Sequence, residues 1–97
     1  MSRLSRADGV VASEMDGDLF LVRPDDGEIY HLDRMAAAIW NLLAEPMTRA
    51  DVHDLFREAF PDVAADRVAA DIDAALATML ADRLVQESGS GHPINTN

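Results

Sequence analysis

The sequence predicts a small α+β domain in which a three-stranded antiparallel β-meander is followed by three helices. Three observations lead to this class. β-rich runs separated by turn signals come first, apolar residues then recur at helical spacing, and 97 residues of 48% hydrophobic content suffice for one core. The chain contains no cysteine, which excludes a disulfide framework and a thiolate metal site.

The predicted strands cover 10–13, 19–23 and 28–32. Asp-Gly-Asp at 16–18 and Pro-Asp-Asp-Gly at 24–27 supply turn chemistry between them, and such short connections pair neighbouring strands antiparallel. Because side chains alternate along a strand, both faces of this sheet are partly apolar. Either helices cover much of both faces, or one face is kept for a partner.

The helical period begins at Asp33, a favourable N-cap residue, and ends at Glu45 and Pro46. Thr48 caps a second predicted helix over 49–60. The third helix is predicted over 64–82, with a long, alanine-rich apolar stripe. Packing of these stripes on the sheet should bury the single tryptophan, Trp40.

The ends of the chain lack core patterns. We expect a flexible N-terminus over 1–9 and a disordered, Gly/Ser-rich tail over 88–97, which leaves 10–87 as the domain. No stretch approaches the roughly 18 apolar residues of a membrane span, and the N-terminus has no signal-peptide pattern. We therefore expect a cytoplasmic protein without membrane contact.

The net charge of −10 argues against nucleic acid as a partner. Strands followed by helices in helix-turn-helix-like succession indicate a winged-helix-like architecture, which often binds DNA. Such binding needs a basic recognition helix, yet the basic residues, all arginines, are scattered singly and are outnumbered by acidic ones in both candidate helices. Fold alone does not assign function, so DNA binding is not expected.

Catalytic patterns are also missing from the sequence. His31, His53 and His92 fall in a strand, a helix and the tail, without the spacing of metal ligands. Asp71 and Asp73 point to different faces of the third helix, so no carboxylate pair converges. We expect no enzyme activity, no metal and no cofactor.

A family resemblance emerges from the order of the core patterns. Asp26-Gly27, then Tyr30, Leu32, a capping residue and the run Ile39 to Leu43, resembles the pyrroloquinoline quinone biosynthesis protein D family, the PqqD-like domains. Thr48, Leu55, Phe60 and the spacing of Ile72, Leu76, Leu80, Leu84 and Val85 continue that pattern. The resemblance spans about 10–85. Asp33 replaces a common asparagine and keeps the capping. Arg83 stands where a glycine often ends the third helix, which costs about 1 kcal/mol if the turn is left-handed.

The resemblance implies a non-catalytic module that binds the leader segment of a ribosomally made precursor peptide. Similar domains present the leader to a separate maturation enzyme, either a radical SAM enzyme or a leader protease and cyclase. The leader adds as a strand beside the third strand, against the third helix. The residues that this places at the site are Glu28, Ile29, Tyr30, His31, Val68, Asp71, Ile72 and Ala75.

The residue pattern supports this site only in part. The terminal strand over 28–32 has one free edge and no proline, and Ile29, His31, Val68 and Ile72 are candidates for a groove between strand and helix. Core packing is the competing interpretation for Tyr30, Val68 and Ile72. The alternative function is a protein-interaction or regulatory winged-helix domain that has no precursor peptide.

Overall fold

A computed structural model describes residues 2–88 as five strands and three helices. In chain order, they are β1 (Arg3–Arg6), β2 (Val11–Met15), β3 (Asp18–Val22), β4 (Ile29–Leu32), α1 (Arg34–Leu42), α2 (Arg49–Ala59), α3 (Ala65–Ala81) and β5 (Val85–Ser88). No helix in this part of the chain is long and apolar enough to cross a membrane.

The predicted meander is confirmed. β2, β3 and β4 form an antiparallel sheet in that order, with Leu21 opposite Ala12 on one side and Tyr30 on the other. Leu21 is fully buried and Tyr30 packs against the core, so this face of the sheet lies on the helices. The opposite face is more open, because Val11 and Ile29 are 60% and 67% exposed.

A second sheet corrects the prediction of a flexible N-terminus over 1–9. β1 pairs antiparallel with β5, and Leu4 and Met47 exchange backbone hydrogen bonds of 2.7 and 3.1 Å. Leu4 is fully buried and anchors β1. The sequence hid this strand because Arg, Ser and Arg surround its one apolar residue. Of the predicted tail over 88–97, Ser88 ends β5, and the rest lies outside the described residues.

The helix ends follow the predicted chemistry. The Asp33 side chain accepts the Ala36 amide at the start of α1, and Thr48 forms a capping box with Asp51 at the start of α2. α3 ends in a Schellman motif, in which the Leu84 amide donates to the Met79 carbonyl and the Arg83 amide donates to that of Leu80. Arg83 has φ of 60°, so it adopts the left-handed conformation. The expected cost of about 1 kcal/mol for a residue other than glycine at this position therefore applies.

The core lies between the meander and the helices, with α3 packed against both α1 and α2. Trp40 is 3% exposed, as predicted. It belongs to one buried core cluster, whose other members are Leu4, Leu21, Leu32, Ala36, Ile39, Leu43, Val52, Phe56, Val68, Ile72, Leu76, Met79, Leu84 and Val85.

Candidate functional site

The turn between β3 and β4 fixes the direction in which β4 presents its backbone. The Arg23 amide donates to the Glu28 carbonyl at 3.0 Å, and the Gly27 amide donates to the Arg23 carbonyl at 2.9 Å. Gly27 has φ of 70°, a conformation in which glycine avoids the Cβ strain of other residues. Together these bonds form a G1 bulge, with Gly27 and Glu28 opposite Arg23.

Hydrogen bonding alternates along an antiparallel pair, so the Arg23–Glu28 bond sets the pattern of the rest of β4. Tyr30, opposite Leu21, and Leu32, opposite Leu19, hold the hydrogen-bonded positions. The backbone groups of Ile29 and His31 therefore point away from β3. Since β4 is an edge of its sheet, these groups have no strand partner in the described part of the chain.

A groove of about 160 Å³ runs beside this edge, between β4 and the C-terminal half of α3. We call it the β4–α3 groove. Its lining comes from β4, the start of α1 and the end of α3: Tyr30, His31, Leu32, Asp33, Ala36, Ala75, Thr78, Met79, Asp82 and Leu84. Backbone groups of a strand edge thus stand next to small and apolar side chains.

The groove continues toward the middle of α3. Asp33, Ala75 and Thr78 also line a neighbouring cleft, whose other residues are Met35, Asp71 and Ala74. Alanines at 74 and 75 keep the helix wall low, because a methyl group projects little from the helix surface. The combined depression therefore follows α3 from Asp71 to Asp82, about three turns.

The structure separates the eight predicted site residues into three groups. Tyr30, His31 and Ala75 line the β4–α3 groove, and Asp71 lines its continuation. Glu28 and Ile29 are exposed at the start of β4. The peptide-binding role of these residues stays a prediction.

Val68 and Ile72 form the third group, and the expectation that they share a groove with Ile29 and His31 is corrected. Val68 is 5% exposed and Ile72 is fully buried. Both border a cleft of about 570 Å³ between α2 and α3. They lie one to two helical turns before Ala75, on the part of α3 that packs against α2 rather than beside β4.

The predicted site did not include Thr78, Met79 and Asp82, which line the β4–α3 groove. They continue the face of α3 that begins at Ala75, at the three- and four-residue spacing of helix neighbours. That spacing was the available signal. Helical periodicity defines a face, but it does not show which turns of the helix lie beside a given strand.

The outer face of the meander carries an apolar row at the same end as the bulge. Val22 is the partner of both Val11 and Ile29, so the three side chains cross the sheet in line. In the next row Phe20 packs against His31, with ring centroids 5.1 Å apart and an interplanar angle of 52°. Any strand added to β4 would extend these rows.

An ion pair stiffens the turn that leads into β4. Arg23 Nε donates to Asp26 Oδ1 at 3.3 Å, its Nη2 pairs with Asp26 Oδ2, and the Glu28 amide donates to Asp26 Oδ1 at 3.0 Å. The hydrogen bond from Arg23, followed by that from Glu28, holds the pKa of Asp26 below its usual value. Asp26 in turn raises the pKa of Arg23.

The histidines of strand and helix take part in surface contacts. His31 Nε2 lies 3.4 Å from Asp18 Oδ1. His53 Nε2 lies 3.0 Å from Asp73 Oδ1, which also accepts a hydrogen bond of 3.3 Å from Arg49. These contacts tie β4 to β3 and α2 to α3. Within 2–88, no three histidine or acidic side chains gather as a metal site.

Comparisons with known proteins agree with this architecture. The family model described as coenzyme PQQ synthesis protein D (PqqD) matches residues 18–85, well over half of the chain. The chain therefore belongs to the PqqD family, as the sequence resemblance predicted. A search of curated proteins gives no match.

The fold is also similar to a solved structure, TbiB1 in complex with the TbiA(beta) leader peptide. The TM-score is 0.73, the sequence identity is 22%, and the match covers 92% of this chain and 98% of that chain. The likeness extends over nearly the whole of both chains. It confirms the predicted α+β fold, including the meander followed by three helices.

Proposed function

We propose that this domain is a non-catalytic adaptor that binds the leader segment of a ribosomally synthesised precursor peptide and presents it to a separate modifying enzyme. The leader adds as a strand to the free edge of β4 and lies in the β4–α3 groove. Main-chain hydrogen bonds to Ile29 and His31 set the register of the leader, and the groove binds its alternate side chains selectively.

One observation carries this proposal: an unpaired strand edge opens directly onto a groove. An exposed edge is a ready template for another strand, and folded proteins usually cover or charge it. Membership of the PqqD family and a fold like that of a protein solved with its leader peptide support a peptide as the occupant.

The shape of the groove suits an extended peptide. The part beside β4 has a volume of about 160 Å³, and its continuation along α3 adds about 430 Å³. Along an added strand, every second side chain would enter the groove beside Tyr30 and Ala75. The alternate side chains would lie next to Ile29 and His31, where the outer apolar rows of the meander end.

The partner enzyme and the place of action follow from the same proposal. A module that only holds the leader needs a second protein for the chemistry, such as a radical SAM enzyme or a leader protease and cyclase. A precursor made on ribosomes is available in the cytoplasm, so we propose that the domain works there.

Calorimetric titration tests the proposal. The probe is a synthetic peptide with the leader sequence of the short precursor reading frame nearest this gene, and a scrambled peptide is the control. We expect one-to-one binding of the leader alone, without turnover of the peptide. Absence of heat up to about 100 µM leader, roughly −5.5 kcal/mol, would favour the regulatory-domain alternative. Chemical change of the peptide by the domain alone would contradict an adaptor role.

A further inference from the structure

Arg23 is the one charged residue that is buried in the described part of the chain, at 8% exposure. Its guanidinium contacts three neighbours at once. Nη1 donates to the Asp82 carbonyl at 2.8 Å, Nε and Nη2 grip the Asp26 carboxylate, and the guanidinium carbon lies 5.8 Å from the centroid of the Tyr30 ring. Two of these neighbours, Tyr30 and Asp82, line the β4–α3 groove.

These contacts join the opposite walls of the groove. Arg23 ends the strand segment that pairs with the start of β4, whereas Asp82 is the C-cap residue of α3. Within 2–88, the bond from Arg23 to Asp82 is the single hydrogen bond between the β3–β4 hairpin and α3. At this end of the groove, Arg23 therefore supplies the polar link between strand and helix, beside the apolar packing of Leu32 and Met79 in the core.

Stability alone explains this arrangement poorly. Desolvating a guanidinium is costly, and the Asp26 side chain that pairs with it is 40% exposed, so solvent screens the ion pair. A guanidinium has a property that an apolar side chain lacks, because its planar fork fixes the positions of several acceptors together. At Arg23 those acceptors belong to the turn before β4 and to the last turn of α3.

We propose that Arg23 is a positioning residue for the β4–α3 groove: it holds β4 and the end of α3 at the separation that a peptide strand requires. The inference rests on the proposed function for its consequence in binding. It goes beyond that function because Arg23 itself lies outside the groove lining.

The chain supplies a matched control in Arg6. Its Nε donates to the Trp40 carbonyl near the end of α1 at 3.0 Å, and its guanidinium carbon lies 4.5 Å from the Trp40 ring centroid. Arg6 therefore makes the same two kinds of contact as Arg23, a helix carbonyl and an aromatic ring. Arg6 does not share the carboxylate contact that Arg23 makes with Asp26, and neither Arg6 nor Trp40 lines the groove.

The test compares Arg23→Gln with Arg6→Gln by calorimetric titration of the same synthetic leader and by thermal melting. We expect both variants to melt below the wild type, but only Arg23→Gln to weaken leader binding, by about tenfold. Arg23→Lys keeps the charge and reaches fewer acceptors, so it should bind with intermediate affinity even if the glutamine variant unfolds. Equal affinities for wild type, Arg23→Lys and Arg6→Gln would overturn the proposal.

Amide exchange in the free proteins separates this inference from the proposed function. Arg23→Gln should speed exchange at Asp82 and Arg83, the C-cap of α3 and the residue after it, whereas Arg6→Gln should do so at Leu43, after α1. If the wild-type chain binds no leader, the proposed function fails. This exchange pattern still decides whether Arg23 fixes the end of α3 relative to β4. Uniform acceleration across both helices in the two variants would reduce Arg23 to a general stabilising residue.

Discussion

Leu21 on β3 and Tyr30 on β4 are partners across the meander, and their pairing turns the backbone of Ile29 and His31 toward the free edge. Of the two positions, His31 also borders the groove. Its amide is therefore the donor best placed for an added strand. The consequences of this geometry can be tested by changes to the edge, to the groove and to the core.

Proline at position 31 should block strand addition and leave the fold intact. His31→Pro removes an outward amide, which β3 does not use, and proline is tolerated on edge strands. Leader affinity should fall at least about tenfold, or 1.4 kcal/mol, in calorimetric titration. His31→Ala keeps the amide and is the control for loss of the side chain. A folded proline variant with the affinity of the alanine variant would argue against main-chain pairing here.

Filling the groove should exclude the leader's side chains. Ala75 is partly buried in the groove lining, so Ala75→Leu adds three carbon atoms to a space of about 160 Å³. We expect at least a fivefold loss of affinity, about 1 kcal/mol, with little change in melting temperature. Ala77→Leu makes the same addition at an exposed position of α3 and should bind like the wild type. Equal binding by both variants would remove the groove from the site.

Trp40 should be the most costly single truncation of the core. Its side chain is 3% exposed, and the indole ring lies under the Arg6 guanidinium. Trp40→Ala therefore leaves a cavity where the ring was. The expected loss is about 3–5 kcal/mol of unfolding free energy, a large share of the stability of so small a domain. Urea unfolding measures the loss. A difference below about 1 kcal/mol would mean that the core collapses around the site far better than its packing implies.

Acid should weaken the link between α2 and α3 through Asp73. The hydrogen bond from His53, and then that from Arg49, lowers the pKa of Asp73 below its usual value. A lowered folded-state pKa stabilises the protein above the unfolded-state pKa, and this contribution is lost as pH falls through the folded-state value. Asp73→Asn should therefore destabilise at pH 7 and much less at about pH 2.

The effect of Asp73 should be small, because its side chain is 51% exposed and solvent screens the pair. Less than about 1 kcal/mol is expected at pH 7 from urea unfolding of wild type and variant. Asp62→Asn changes an exposed carboxylate outside the helices and serves as the control. An Asp73→Asn effect of the same size at both pH values would show that ionisation of Asp73 is not its source.

The acidic charge should prevent binding to duplex DNA. The net charge of −10 repels phosphates, and binding to a nucleic acid backbone draws its affinity from clustered basic groups. We expect no mobility shift of random duplex at about 0.15 M salt. A shift at micromolar protein that weakens steeply with added salt would contradict this.

Most of the fold was predictable because its signals are local. Turn residues such as Gly27 and capping residues such as Asp33 and Thr48 act within a few positions, and apolar periodicity marked the helices. β1 and β5 were not predicted, because their pairing joins the two ends of the domain. Each strand also buries a single apolar residue, Leu4 in β1 and Val85 in β5. Contacts of that range leave little trace in a short polar segment.

The candidate site was predictable at the strand and less so at the helix. The free edge of β4 follows from the order of the meander alone. Along α3, the pattern identified an apolar stripe but not which turns of the helix lie beside β4. Val68 and Ile72 were therefore assigned to the groove in place of Thr78 and Met79. Ile72→Asp should consequently unfold the domain, since the position is fully buried and a carboxylate there loses its hydration.

Residue-resolved amide exchange of the wild-type domain, with and without the synthetic leader, tests strand addition most directly. The amides of Ile29 and His31 lack a strand partner in the free chain, whereas Tyr30 holds a hydrogen-bonded position opposite β3. We predict that saturating leader slows exchange strongly at Ile29 and His31 and changes Tyr30 much less. Leader binding by calorimetry without added protection at Ile29 and His31 would contradict strand addition at the β4 edge.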